Sequence, residues 1–286
     1  MSKISELTAQ QKALIADYRM KWYSMAISSQ PVDKARAFSA IEAVYKKISN
    51  AEIPDIYYFD SPRSVANLSF ISHIHPTANL SNQRKLNNII RKVKNELLKH
   101  GSLCNSFDRH IVYPLIEIVG KQFDIELWKS LHKQFSFWSP LNSLIPVSLR
   151  DSEKLSLIWK YGKPNHQRQI EQFWLYLITG LVSPDTECSI CGLLDFCTAE
   201  LGCFIEEDLW HTLRTYVFEC GWTFLFQDFC FTCQRPHKVL LDEQNRPHVE
   251  NEAAIEFLDG FSVFAKNGML ALDCDQSNNP PAPDGT

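Results

Sequence analysis

The chain has 286 residues, of which 45% are hydrophobic, 12% aromatic and 22% charged, enough apolar material for a packed core and too much for a disordered polymer. Twenty-nine basic against thirty-three acidic side chains leave a formal net charge of -4, which argues against a surface that coats nucleic acid or an anionic membrane. The charge is uneven: residues 201–286 hold fourteen Asp or Glu and five Lys or Arg, a net of -9, so residues 1–200 carry +5.

The longest nearly unbroken apolar run, Phe173 to Val182, is half of what a bilayer-spanning helix needs. Residues Met1 to Thr8 contain no apolar signal core, so a cytoplasmic location and no membrane partner are expected. Nine cysteines in a reducing compartment are expected to stay thiols, available for metal binding or simple burial.

Thr8 and Gln11 have the spacing of a capping box, and Leu14, Ile15, Tyr18, Trp22, Met25 and Ala26 follow at helical spacing. After Pro31, near a first helical turn, Ala35, Phe38, Ile41, Val44, Tyr45 and Ile48 predict a second helix, the two forming a hairpin. Ile56 to Phe59, closed by Asp60-Ser61-Pro62, reads as a brief strand or extended link. Asn82 to His100 is strongly basic around an apolar stripe, with Gly101 as its stop. His110 to Val119, Ile125 to Phe135, Ser152 to Tyr161, Gln167 to Val182 and Leu209 to Cys220 also fit helices, the last preceded by Glu206, Glu207 and Asp208 and stopped by Gly221.

From Trp222 the period changes. Phe229 to Cys233, Val239 to Asp242, Ala254 to Phe257, Phe261 to Phe264 and Met269 to Leu272 are short strand-like runs, and Asp259-Gly260 and Asn267-Gly268 carry the composition of type I′ hairpin turns. The expectation is an α+β protein: a helical body over 1–221, a small antiparallel β-meander over 222–274 packed on it, and a disordered tail over 275–286.

No cofactor is expected, but two C-x-x-C pairs, Cys188/Cys191 and Cys230/Cys233, offer four thiolates for a tetrahedral structural zinc. Cys188, Cys191, Cys197 and Cys203 form a rival set for zinc or an iron–sulfur cluster. The simpler alternative is that these cysteines act as small buried hydrophobes. His73 and His75 share a face only if extended, and Cys104 or Cys220 beside a histidine would be a nucleophile only if the fold joined them. Arg84, Lys85, Arg91, Lys92 and Lys94 could follow a phosphate backbone, although no stacking aromatics accompany them and a solvated helix face explains them as well. Phosphate-loop, dinucleotide, zinc-protease and nucleophile-elbow signatures are absent from the sequence.

Several C-terminal segments form a pattern: Cys220-Gly-Trp222, Arg235-Pro236, Asp242 through Arg246-Pro-His248, Ala253-Ala254, Phe257 through Ala265, and Gly268. Together with Leu7 to Gln11, Tyr18 to Trp22 and Tyr58 to Pro62, they resemble a bacterial domain of unknown function, common in cyanobacteria and actinobacteria and sometimes found beside leucine-rich repeats. Its members follow the form CGW…RP…D…GRLH…GPA…DG…AW.G, from which this chain departs at Pro247 and at Asn251-Glu252-Ala253. The resemblance implies a fold and a host group, and no activity.

Arg246 and His248, two apart, project from one face of a strand and, with Arg235 and Asp259, form a candidate polar cluster. It is read either as a recognition surface or as a set of turn-stabilising contacts, the second being favoured. The expected function is a non-enzymatic module whose sheet edge or polar face meets another protein. The alternatives are an enzyme using Arg246, His248 and Asp259, and a zinc-stabilised nucleic-acid-associated protein.

Overall fold

A computed structural model describes residues 3–48, 53–65, 103–136 and 181–271 of the chain. The basic segment with Arg84, Lys85, Arg91, Lys92 and Lys94, the pair His73 and His75, the helical expectation over 152–161, residues 167–180 of the one over Gln167 to Val182, and the expected tail lie outside the described residues; the described end of that second run, Leu181–Val182, is a strand and not helix.

Helices dominate the first part: α1 (Ala9–Ala26), α2 (Lys34–Ile48), α3 (Cys104–Phe107), a π-helical turn (Asp108–Val112), α4 (Tyr113–Gly120), α5 (Ile125–Phe135), α6 (Pro184–Ala199) and α7 (Glu207–Glu219). Strands are short: β1 (Asp55–Phe59), β2 (Leu181–Val182), β3 (Thr223–Leu225), β4 (Phe229–Cys233), β5 (Lys238–Val239), β6 (Ile255–Glu256), β7 (Ser262–Val263), β8 (Ala265–Lys266) and β9 (Met269–Leu270). The fold is α+β, as expected.

The capping box of α1 is formed in full. Gln11 N–H donates to Thr8 Oγ1 at 3.2 Å and Thr8 N–H to Gln11 Oε1 at 2.9 Å. Asp33 caps α2, its carboxylate accepting from the Ala35 and Arg36 amides. These two charge-assisted bonds hold the exposed Asp33 carboxyl below its ordinary range.

The expected α1–α2 hairpin does not form: α1 packs mainly on α6 and α2 mainly on α7. Trp22 fixes the first pair, its ring buried and its indole N–H donating to Asp195 at 2.9 Å. On α2 the buried stripe is Ala37, Ala40, Ile41, Val44, Tyr45 and Ile48, so the face is rotated from the expected one and Phe38 is exposed. The small alanines let α7 come close, near enough for the Cys220 thiol to meet the Ala37 carbonyl.

The sheet at the centre has the order β1-β4-β3-β2, with β1 parallel to β4 and the other pairs antiparallel. It therefore takes strands from both sides of position 221, including the segment read as a brief strand or link. Alternation divides its side chains between two cores. Ile56, Tyr58, Val182, Leu225 and Cys230 face the helices, whereas Tyr57, Phe59, Phe224, Phe229, Phe231 and Cys233 face the C-terminal strands. The molecule is thus layered, helices on one face of the sheet and hairpins on the other.

Those hairpins are not one meander. They divide into a three-stranded antiparallel sheet β5-β6-β7 and a two-stranded hairpin β8-β9. Asn267 and Gly268, with φ of 53° and 77°, make the expected type I′ turn between β8 and β9. At Asp259-Gly260 only the glycine has positive φ, 83°, and Phe257 pairs with Phe261 around a three-residue loop, which replaces the expected I′ turn.

Candidate functional site

The four polar residues singled out from the sequence have separate partners. Arg235 follows β4 and points its guanidinium at the C-terminus of α7, donating to the carbonyls of Val217, Phe218 and Cys220 at 3.1, 2.8 and 2.9 Å. Helix α7 has no basic residue in its own last turn, so Arg235 supplies the positive charge its dipole favours. Burial lowers the Arg235 pKa, but a guanidinium starts so high that it stays charged.

Arg246 is held by Asp242, with Nε at 2.9 Å and a terminal nitrogen at 2.8 Å from Asp242 Oδ2. Asp242 Oδ1 also accepts from the Gln244 and Arg246 amides, closing the turn. Partial burial pushes the Asp242 carboxyl up, yet the bonds from Arg246 outweigh it and the pKa falls below the ordinary value. His248 Nδ1 accepts from the Asn267 amide at 3.0 Å, which assigns its proton to Nε2 and fastens the β8-β9 turn.

Asp259 lies at the tip of the β6-β7 loop. Its Oδ2 accepts from Ser61 at 2.5 Å and Ser64 at 2.6 Å, and its Oδ1 from the Phe261 amide at 3.1 Å. Arg235, Arg246, His248 and Asp259 make no hydrogen bond or ion pair with one another among the described residues. Each fastens a turn, a helix end or a loop.

The cysteine pairs are governed by their secondary structure. Cys230 and Cys233 are three apart on a strand, so one thiol enters the core beneath the helices and the other the core beneath the hairpins. Cys188 and Cys197 sit on one helix nine residues apart, which separates them by ~13.5 Å along its axis. Neither geometry gathers a tetrahedral set, and no three His, Cys, Asp or Glu side chains form a metal-holding group among the described residues. Burial raises the thiol pKa of Cys191, Cys220, Cys230 and Cys233, which keeps them protonated at neutral pH.

The structure also gathers polar groups that the sequence reading did not connect. The π turn carries Asp108, whose charge acts with that of Glu187 of α6 on Cys104 of α3, and Glu187 and Cys104 also act on Tyr216 of α7. The Cys104 thiol is pushed up to about 11 by burial and then by the charges of Asp108 and Glu187. Burial alone raises the Asp108 carboxyl. Tyr216 is fully buried against Phe107, with its hydroxyl unpartnered among the described residues, as is Ser183 Oγ at the start of α6.

The π turn has a local cause. Pro114 has no N–H to give the His110 carbonyl and its ring would strike that oxygen, so the backbone widens and Tyr113 N–H reaches back to Asp108. Tyr113-Pro114 inside an otherwise helical run was the signal in the sequence. Burial keeps the Cys104 thiol and the Tyr216 phenol protonated at neutral pH, and the thiol meets the Leu181 carbonyl at 3.5 Å.

A second constellation lies at the surface. The Gln122 side chain brackets the Phe204 backbone, its amide donating to Phe204 O at 2.7 Å while its carbonyl accepts Phe204 N–H at 2.9 Å. Ile4 pairs with Gln122 and Asp124 on the same turn. Phe204 in this clasp is 68% exposed, and Ile125, which follows Asp124 in the chain, is 62% exposed. Glu206 and Glu207, both exposed, follow Phe204 in the chain.

No protein-family model, curated protein or solved structure matches the chain. No helix among the described residues is long and apolar enough to cross a membrane.

Proposed function

We propose that the protein is a non-enzymatic, cytoplasmic interaction module that docks another protein on the clasp around Gln122. The observation that carries the reading is the exposure of Phe204, whose backbone Gln122 holds from both sides, and of Ile125 three residues after Gln122. Glu206 and Glu207 beside Phe204, and the net charge of -9 over residues 201–286, favour a partner with an apolar side chain set among basic ones.

The polar residues support the same reading from the other side. Arg246, His248 and Asp259 are spent on three separate structural bonds, which weighs against their acting as one catalytic group. The resemblance to a bacterial domain that occurs beside leucine-rich repeats agrees with an interaction role.

The test is site-specific photo-crosslinking in cells from a benzophenone side chain at position 204, with position 243 as an exposed control. A discrete adduct at 204 alone, whose identified partner then binds the purified chain more weakly at high salt, supports the reading. Equal labelling from both positions removes it.

A further inference from the structure

Cys197 lies in the last turn of α6, and the chain then reverses through Gly202, whose φ is +62°. The reversal lays Cys203 back on the helix, its amide donating to the Cys197 carbonyl at 3.0 Å. The two thiols are near enough for each to shift the other's proton affinity. That backbone bond puts the two residues in direct contact, the closeness that a disulfide requires.

The pair is placed for exchange as well as for bonding. Both residues are buried, Cys197 completely and Cys203 at 7% exposure just after the exposed Gly202, so Cys203 is the nearer of the two to solvent. Their mutual effect lowers the Cys203 thiol and raises that of Cys197, so the outer sulfur is the readier thiolate. This contrasts with Cys191, Cys220, Cys230 and Cys233, where burial raises every thiol.

We infer that Cys197 and Cys203 are a reversible redox-modification site, closing a disulfide by exchange with a low-molecular-weight disulfide such as oxidised glutathione. The Cys203 thiolate attacks one sulfur of that disulfide, forming a mixed disulfide and expelling one thiolate. The Cys197 thiol then loses its proton and attacks the Cys203 sulfur, expelling the second. Two S–H bonds are exchanged for one S–S bond, and the small disulfide takes up two electrons and two protons to become two thiols. The bond staples the segment that joins α1 to the Gln122 clasp, since Glu200 there accepts from Tyr18 and Gln11. The site is independent of the docking reading.

The test treats the fully reduced, folded chain with graded oxidised glutathione, then counts thiols after unfolding and maps disulfides by mass spectrometry. Two of the nine thiols should disappear, in one bond joining Cys197 to Cys203, and return with dithiothreitol. Cys197→Ser should instead accumulate a glutathione adduct at Cys203, and Cys203→Ser should form neither bond nor adduct at Cys197. Nine surviving thiols under conditions that oxidise a dithiol peptide control, or a bond mapped to another pair, overturns the inference. If either serine variant fails to fold, the wild-type map decides alone.

Discussion

The Gly221 backbone passes so close to Cys233 that a Cβ at position 221 would stand 2.1 Å from the Cys233 carbonyl oxygen. The two chains meet where α7 ends and β3 begins, and the Cys233 amide bonds to the neighbouring Trp222 carbonyl at 2.8 Å. The obstacle is backbone, so no rotamer relieves it. Gly221→Ala should cost about 3 kcal/mol or more, read as a lowered urea midpoint at unchanged slope. A loss below about 1 kcal/mol would show that the seam between helices and sheet is looser than described.

Arg235 closes the end of α7 among the described residues. Arg235→Ala removes donors from three carbonyls at once and should destabilise by about 2–4 kcal/mol, with Arg235→Lys recovering part of the loss. Chemical denaturation of both variants checks the order wild type, Lys, Ala. An alanine variant of full stability would return Arg235 to the list of recognition residues.

Asp108 gives the fold a pH dependence of definite sign. Its folded pKa is raised by burial above the ordinary 3.8, so the native state holds the proton more tightly than the unfolded chain. The contribution is present at pH below the unfolded value and is lost as pH rises through the folded one. Asp108→Asn should therefore raise the melting temperature at pH 7 and give no advantage at pH 3. Melting curves at the two pH values decide, and a variant less stable at pH 7 would mean that the charged carboxylate has a stabilising partner.

His132 works in the opposite direction. Burial lowers its folded pKa, so protonation favours the unfolded chain as pH falls below the ordinary value of 6.5. His132→Gln should flatten the decline of stability between pH 6.5 and 5, and an unchanged slope would assign that decline elsewhere.

Local signals were legible in the sequence. Thr8 with Gln11, Ile125 to Phe135, Phe229 to Cys233 and Asn267-Gly268 behave as read, because each depends on neighbours in the chain. What was not legible depends on distant partners. Phe38 turns outward because Ala37 and Ala40 admit α7, and β1 finds its parallel mate more than 170 residues away in β4. The cysteine spacing misled for a related reason. C-x-x-C gathers thiols on a knuckle but divides them on a strand, and only tertiary structure says which applies at Cys230 and Cys233. The clasp at Gln122 left no pattern, since its partner Phe204 is 82 residues away.

The docking account is tested most directly by measuring the affinity of the crosslinked partner, once purified, for wild type and for Phe204→Ser. Phe204 is exposed, so the substitution should leave folding stability within about 0.5 kcal/mol. The account predicts at least a tenfold weaker complex, about 1.4 kcal/mol, at that unchanged stability. Equal affinity for the two proteins would contradict it.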